Sequence, residues 1–149
     1  MEIDTMKPNA TAHLRGSMRA PSLVGRADFY QKSQGVLIYI HVYGLPKDDN
    51  VTDYFALHVH VGESCNGEDF AESMGHYNPQ NMSHPRHAGD LPPLLSNNGE
   101  AYMSVLTNRF SVNEIVGKTL VIHSGTDDFY SQPAGNPGIK IACGIIRKV

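Results

Sequence analysis

The stretch FALHVHVGESCNGEDF, residues 55–70, places two histidines in an apolar run and follows them with one of the chain's two cysteines. Side chains two residues apart on a β-strand point to the same face, so His58 and His60 are expected to share a face of one strand. Two imidazoles on one face are either a hydrogen-bonded polar pair in the core or two ligands of one metal ion. Taken alone, the stretch leaves both interpretations open.

Alternation of apolar and polar residues with a period of two dominates the rest of the chain. In GVLIYIHVYG, residues 35–44, the even-numbered positions from Val36 to Val42 are all apolar and define one face. The same strand pattern occurs in TAHLRG (11–16), VGRADFYQ (24–31), YFALHVHV (54–61), EAYMSVLT (100–107), KTLVIHS (118–124) and IKIACGIIR (139–147). Only SVNEIVG, residues 111–117, suggests a helical turn. The pattern predicts an all-β protein, an eight-stranded antiparallel Greek-key barrel or sandwich.

Length and charge limit the classes of function. We expect a single domain over residues 1–149, with 40% hydrophobic and 18% charged residues as in a soluble globular protein. The net charge of −3 offers no basic patch for nucleic acid, and no apolar run approaches the roughly 18 residues of a membrane span. The N-terminal residues show no secretory signal, which favours a cytoplasmic protein, or a periplasmic or extracellular one if a leader has been removed.

Two segments, residues 63–98 and 124–138, lack the strand pattern. Structureless loops longer than roughly 12 to 15 residues are uncommon unless they are functional or disordered. Six of the eight histidines lie in or beside these segments. His76, His84 and His87 with Asp90 could form a closed zinc site that holds the first loop. The strand residues His58, His60 and His123 would form a nitrogen-rich site suited to copper.

The remaining two histidines, His13 and His41, have no motif around them and are interpreted as ordinary strand residues. Cys65 and Cys143 are too few and too far apart for a disulfide-built miniprotein or a zinc ribbon. Two buried thiols and one long-range disulfide both remain open for these cysteines.

Six short elements occur in a fixed order along the chain. They are HVH (58–60), GHYNP (75–79), HPRHAGDL (84–91), VIHSGTDD (121–128), PAGNPG (133–138) and ACGII (142–146). Together they resemble the copper/zinc superoxide dismutase family over nearly the whole chain. A cysteine follows the second histidine of HVH by five residues, and this spacing is more similar to that of the bacterial branch than to that of the eukaryotic branch. The resemblance implies an enzyme that disproportionates superoxide to dioxygen and hydrogen peroxide, with copper and zinc as cofactors.

The resemblance also implies a role for each matching residue. The copper ligands it implies are His58, His60, His76 and His123. The zinc ligands it implies are His76, His84, His87 and Asp90, so that His76 would bridge the two metals and move a proton during turnover. Asp127 would orient a ligand histidine of each metal, and Cys65 and Cys143 would form the family disulfide. Gly135 and Gly138 would flank the turn leading to the substrate channel.

Two positions depart from the family pattern. Lys140 stands where the family usually has arginine at the mouth of the copper pocket, which keeps the positive charge but loses the planar fork of donors. Ala134 stands where relatives often have a hydroxyl residue. We expect Lys140 still to guide the anionic substrate, with weaker positioning, and we expect the channel entrance to have a different shape.

Two other functions compete with catalysis. A non-catalytic superoxide-dismutase-like module that binds zinc or copper would be favoured by the loss of a copper ligand, yet each ligand position carries a suitable residue. A cell-surface adhesion sandwich would leave the six histidines unexplained. The expected partner is superoxide, with no nucleic acid or membrane partner. The sequence leaves the oligomeric state open, a homodimer being one alternative.

Overall fold

The computed structural model describes residues 7–47 and 52–149. Its strands are β1 (Ala10–Gly16), β2 (Val24–Lys32), β3 (Gly35–Tyr43), β4 (Tyr54–Phe55), β5 (Leu57–His60), β6 (Leu94–Leu95), β7 (Ala101–Thr107), β8 (Thr119–His123) and β9 (Lys140–Lys148). One short helix, α1 (Val112–Ile115), and one 3₁₀ segment (Glu68–Ser73) interrupt them. No helix in the described ranges is long and apolar enough to cross a membrane. The first six residues of the N-terminal stretch considered above lie outside the described residues.

Seven strands form one curled antiparallel sheet in the order β5-β8-β9-β1-β2-β3-β7, and β4 pairs with β6 in a small second sheet. The all-β antiparallel prediction is confirmed. The strands differ from the prediction in two places, because Ala56 separates the predicted strand 54–61 into β4 and β5, and the segment 63–98, predicted to lack strands, contains β6. The predicted helical turn at 111–117 contains α1, whose first turn is closed by reciprocal hydrogen bonds between Ser111 and Glu114.

The core follows the period-two pattern. Val36, Ile38, Ile40 and Val42 of β3 are fully buried, while the residues between them lie on the outer face. Strand β3 therefore has one face committed to the core, which fixes its register, since a shift by one residue would turn the apolar face to solvent.

Strand β5 lies at the edge of the large sheet and positions the predicted site. On one side it pairs with β8, with His58 opposite Val121 and His60 opposite Thr119. On its other side the long loop supplies hydrogen bonds, from Tyr77 N–H to Val59 C=O (2.8 Å) and from Val59 N–H to Gly89 C=O (2.8 Å). The loop thus satisfies an edge strand that would otherwise leave backbone groups unpaired.

A second part of the same loop, residues 61–75, lies against β9. Val61 N–H bonds to Gly75 C=O and Gly62 N–H to Ser73 C=O, both at 2.8 Å, so the segment closes on itself. Cys65 and Cys143 form a disulfide between this segment and β9, which decides between the two alternatives that the sequence left open.

Candidate metal centre

Four histidines converge at one end of β5 and β8. His58, His60, His76 and His123, here called the four-histidine set, each offer one ring nitrogen within 4.8 Å of the others. Strand β5 supplies His58 and His60, β8 ends on His123, and the loop brings His76 alongside β5, where it forms a backbone bridge with His60. The side chains of His58 and His60 share one face, as their spacing predicts.

Backbone carbonyls orient two of these rings. Nδ1 of His60 donates to Met74 C=O at 2.7 Å, and Nδ1 of His123 lies 3.4 Å from Gly138 C=O. The Nε2 atoms of His60 and His123 then face each other at 3.2 Å. Since each Nδ1 carries the proton, both Nε2 atoms are lone-pair acceptors that cannot hydrogen-bond each other, and a cation between them would satisfy both.

The other two rings in the set have nitrogens without a partner. His58 donates from Nε2 to Asp127 Oδ2 at 2.8 Å, which leaves its buried Nδ1 without a hydrogen bond. Nε2 of His76 is also buried and unpaired among the described residues. Buried nitrogen atoms without partners are rare and unfavourable, so this arrangement fits a bound metal ion better than a closed polar cluster.

The second set lies within the loop. His76, His84, His87 and Asp90, here called the loop set, also bring one ligand atom each within 4.8 Å of one another. Nδ1 of His76 lies 3.1 Å from Nδ1 of His87 and 2.8 Å from Asp90 Oδ1. Asp90 itself is held by the backbone N–H of His87, which donates to Oδ2 at 2.9 Å.

The donor chemistry of the loop set suits zinc. Nδ1 of His84 lies 3.0 Å from Asp90 Oδ2 and yet makes no hydrogen bond in the described structure, as expected of two ligands of one ion. Three imidazole nitrogens and one carboxylate oxygen are the donor set of a closed zinc site, and these four residues would hold the ion. Because Nδ1 of His76 belongs to this set and its Nε2 remains free, the same ring faces both sets.

Asp127 connects the two sets. It is buried, and its Oδ2 accepts from His58 Nε2 at 2.8 Å while Oδ1 accepts from His84 Nε2 at 2.7 Å. These three residues also form a cluster compact enough to hold a cation. We interpret the cluster as a hydrogen-bonded bridge, because both imidazole N–H groups already satisfy the carboxylate. Such a carboxylate fixes the orientation of the ligand rings.

Burial sets the protonation of the site. It lowers the pKa of His58, against the hydrogen bond to Asp127, and lowers the pKa of His60 well below its usual value. Burial and the neighbouring histidines lower the pKa of His123 to about 3. Neutral imidazoles are the form that binds metal ions.

The pKa values of the two carboxylates, Asp90 and Asp127, are both lowered. Burial alone would raise the pKa of Asp90, but the hydrogen bond and charge of His76, with the charges of the other loop histidines, hold it below its usual value. Burial likewise opposes ionisation of Asp127, yet hydrogen bonds from His58 and His84 lower its pKa to about 2. Both side chains are therefore anionic at neutral pH.

A cavity of about 400 Å³ leads to the four-histidine set and is lined by His60, His76, His123, Ala134, Gly138 and Lys140. Lys140 begins β9, and its ammonium donates to Ser73 Oγ and Met74 C=O, both at 2.8 Å. Partial burial lowers the pKa of Lys140. The structure thus brings Lys140 and all seven predicted ligands to one place. His41 lies elsewhere, on β3, where its ring pairs with Glu100.

Sequence reasoning missed the contribution of Met74 and the close contact of Gly135 with Asp127 and His84. Met74 contributes through its backbone carbonyl, which accepts from both His60 and Lys140, so no side-chain pattern could reveal it. Gly135 lies where a Cβ atom would overlap Asp127 Oδ1 and His84 Nε2, and its φ of +80° also favours glycine. Its position in the PAGNPG element was the only available signal.

Comparison with known proteins agrees with this arrangement. Residues 23–146 match the family model "Copper/zinc superoxide dismutase (SODC)". A "Superoxide dismutase [Cu-Zn] 2" from Aquifex aeolicus is 36% identical over 84% of this chain and 80% of the relative. A "Superoxide dismutase [Cu-Zn]" from Legionella pneumophila is 31% identical over 85% of this chain and 80% of its own length.

Solved structures show the same architecture. A Cu/Zn superoxide dismutase from Brucella abortus superposes with a TM-score of 0.78 at 26% identity, over 93% of this chain and 99% of its own. An SOD-like protein from Bacillus subtilis reaches a TM-score of 0.76 at 24% identity, over 91% of this chain and 96% of its own, and shows the fold alone. The family match, the fold and the two convergent ligand sets lead to one conclusion: this chain belongs to the copper/zinc superoxide dismutase family.

Proposed function

We propose that the four-histidine set holds copper, that the loop set holds zinc, and that the chain uses this pair to disproportionate superoxide to dioxygen and hydrogen peroxide. The observation that carries the proposal is the position of His76, whose ring contributes to both sets. When bound, copper supplies one-electron exchange with superoxide and zinc supplies a fixed positive charge.

The residues of the chain hold the geometry and move the proton. Met74 and Gly138 fix the proton of His60 and His123 on Nδ1 and so present Nε2 toward the centre. Nδ1 of His76 remains with the loop set, which leaves Nε2 as the atom that takes up and returns a proton during turnover. Asp127 keeps the rings of His58 and His84 in place throughout.

Lys140 draws the anion into the cavity. An ammonium group has three N–H donors, and two of them are used by Ser73 and Met74. The third remains for a small anion at the cavity wall. The protein has a net charge of −3, so a local positive charge is needed to attract superoxide.

The substitution Lys140→Glu tests this role. We expect kcat/KM to fall about tenfold or more and its dependence on ionic strength to reverse, because the local charge changes sign. Stopped-flow measurement of superoxide decay at several salt concentrations provides the readout, with Lys7→Glu as a control of equal charge change. Unchanged kinetics would remove Lys140 from the mechanism.

The competing function is a non-catalytic metal-binding module. Its decisive test is metal analysis of the purified protein together with a superoxide-removal assay. Copper and zinc near one per chain with activity support the enzyme. Zinc alone, with no activity after copper is supplied, would support the module.

Two finer properties belong with this proposal. A homodimer is supported by exposed apolar side chains on the outer face of the sheet, including Tyr43, Tyr102 and Leu106, and light scattering of the purified protein tests it. The cytoplasmic expectation conflicts with the disulfide, since disulfides persist in oxidising compartments, so the periplasmic or extracellular alternative is favoured. Cell fractionation distinguishes the compartments.

A further inference from the structure

A small cavity of about 280 Å³ lies on the outer face of β1 and β9, away from the metal centre. The sulfur-bearing residues Cys65 and Cys143 line it, together with His13, Arg15 and Arg147. The cavity therefore combines a disulfide with three basic side chains. Nothing in the proposed reaction uses this combination.

The strand register explains why the basic residues gather there. In the β1–β9 ladder, Arg15 lies directly opposite Cys143, and Thr11 lies opposite Arg147. His13 lies between Arg15 and Thr11 on β1, and alternate residues of a strand share a face. Side chains opposite each other in a ladder are close neighbours, so Arg15 lies beside the disulfide.

The charge of the cavity is positive. Both arginines are exposed, and a guanidinium remains charged at all relevant pH values. The described residues that line the cavity include no carboxylate. On the same face of the sheet, Asp28 is held by Arg26 at 2.8 Å and by Thr11 at 3.0 Å.

Acidic residues of the disulfide segment do not reverse this charge. Glu63, Glu68 and Glu72 are exposed and do not line the cavity. Asp69 is paired with Arg19 at 2.8 Å. An anion that approaches the disulfide through the cavity therefore meets the two arginines.

The two sulfurs differ in access. Cys143 is only 4% exposed, whereas Cys65 is half-buried. A reagent that enters the cavity should therefore reach the sulfur of Cys65 first. Positive surroundings also favour the thiolate form of a thiol, which is the form that attacks disulfides.

We propose that this cavity binds a small anionic thiol and directs it to the sulfur of Cys65. The thiolate forms a bond to Cys65 Sγ, the Cys65–Cys143 bond breaks, and its electron pair leaves on Cys143 as a thiolate beside Arg15. A second molecule of the thiol then attacks the mixed disulfide, releasing the oxidised ligand as its symmetric disulfide and leaving Cys65 reduced. Two electrons pass from two thiols to the protein disulfide.

The reduction of the disulfide does not depend on which metals the protein holds. Its rate depends on the charge of the thiol as well as on redox potential, and so does the rate at which the segment 61–75 is released from β9. Without the disulfide, that segment is held to β9 by the Lys140 contacts and by packing of the 3₁₀ segment.

The test compares thiols of different charge on the full metal-loaded chain. The probes are reduced glutathione (anionic), 2-mercaptoethanol (neutral) and cysteamine (cationic), each followed by mass spectrometry of the mixed disulfide and corrected for its thiolate fraction. We expect the glutathione adduct on Cys65, and a rate that falls with rising ionic strength.

The double substitution R15Q/R147Q should slow the reaction with glutathione about fivefold more than the reaction with 2-mercaptoethanol, because the glutathione thiolate carries additional negative charge. Because both arginines are exposed, the Tm of the double variant is expected to remain near that of the unsubstituted chain. Thermal unfolding of the same samples checks this. The control K7Q removes a positive charge near the opposite end of β1 and should change neither rate. Equal slowing of both thiols, no preference for the anionic thiol, or an adduct on Cys143 would overturn the proposal.

Discussion

The four-histidine set and the loop set differ in what holds their residues. Three members of the four-histidine set lie on β5 and β8, whose pairing and buried core face fix the positions of the rings. The loop set lies entirely between His76 and Asp90, in a segment without regular secondary structure. Its sheet contacts are a few backbone hydrogen bonds to the edge of β5.

The difference shows two ways of building a metal site. Strands keep ligands in place whether or not an ion is bound, because strand pairing and burial of apolar side chains in the core stabilise their positions. A loop lacks that support, so an ion that joins its side chains contributes directly to the stability of the loop. We therefore expect redox chemistry to depend on the first set and folding of the loop to depend on the second.

The largest effect is expected from His123→Ala on β8. The variant loses one of the proposed copper ligands, and superoxide removal should fall at least about 100-fold while zinc content remains. Metal analysis and stopped-flow kinetics measure the two quantities. His41→Ala is the matched control, since this half-buried histidine lies on β3 and pairs with Glu100. Loss of zinc from His123→Ala would show that the two sets are not separately supported.

The next effect concerns zinc removal. At a zinc concentration about 1,000 times the Kd, binding to the folded chain alone adds about 4 kcal/mol, or roughly 10 °C in Tm for a domain of this size. Hydrogen exchange should locate the change, with amides between His76 and Asp90 exchanging much faster in the metal-free chain than those of β8. Equal acceleration in both regions would contradict the distinction between strand and loop.

A smaller effect is expected from Asp127→Asn. This side chain bonds to one histidine of the four-histidine set and one of the loop set. An asparagine can accept from only one of His58 and His84, so one ligand ring in each variant molecule loses its partner. We expect the affinity for both metals to fall about 10- to 100-fold, measured by chelator competition. Asp128→Asn is the control, since Asp128 accepts from Tyr130 and Ser131. A loss confined to one metal would place the orienting role on a single ring.

Much of this molecule could be predicted from its sequence. Period-two alternation located the principal strands and the buried face of β3, and the order of the histidine elements indicated the residues of both sets. The break at Ala56 and the pairing of β4 with β6 were not predictable, because such short strands carry too little pattern. Met74 was missed because its contribution comes from a carbonyl, which every residue has.

The close contact at Gly135 has a consequence for how the second loop tolerates substitution. Its neighbours Pro133 and Asn136 are exposed, whereas Gly135 is buried against the carboxylate that links the two sets. Even the single methyl group of alanine would displace that carboxylate, so one residue in a solvent-facing turn should be as intolerant of replacement as the middle of the barrel. A saturation library across residues 131–138 would then show few tolerated substitutions at Gly135, because of both its contact with Asp127 and its positive φ.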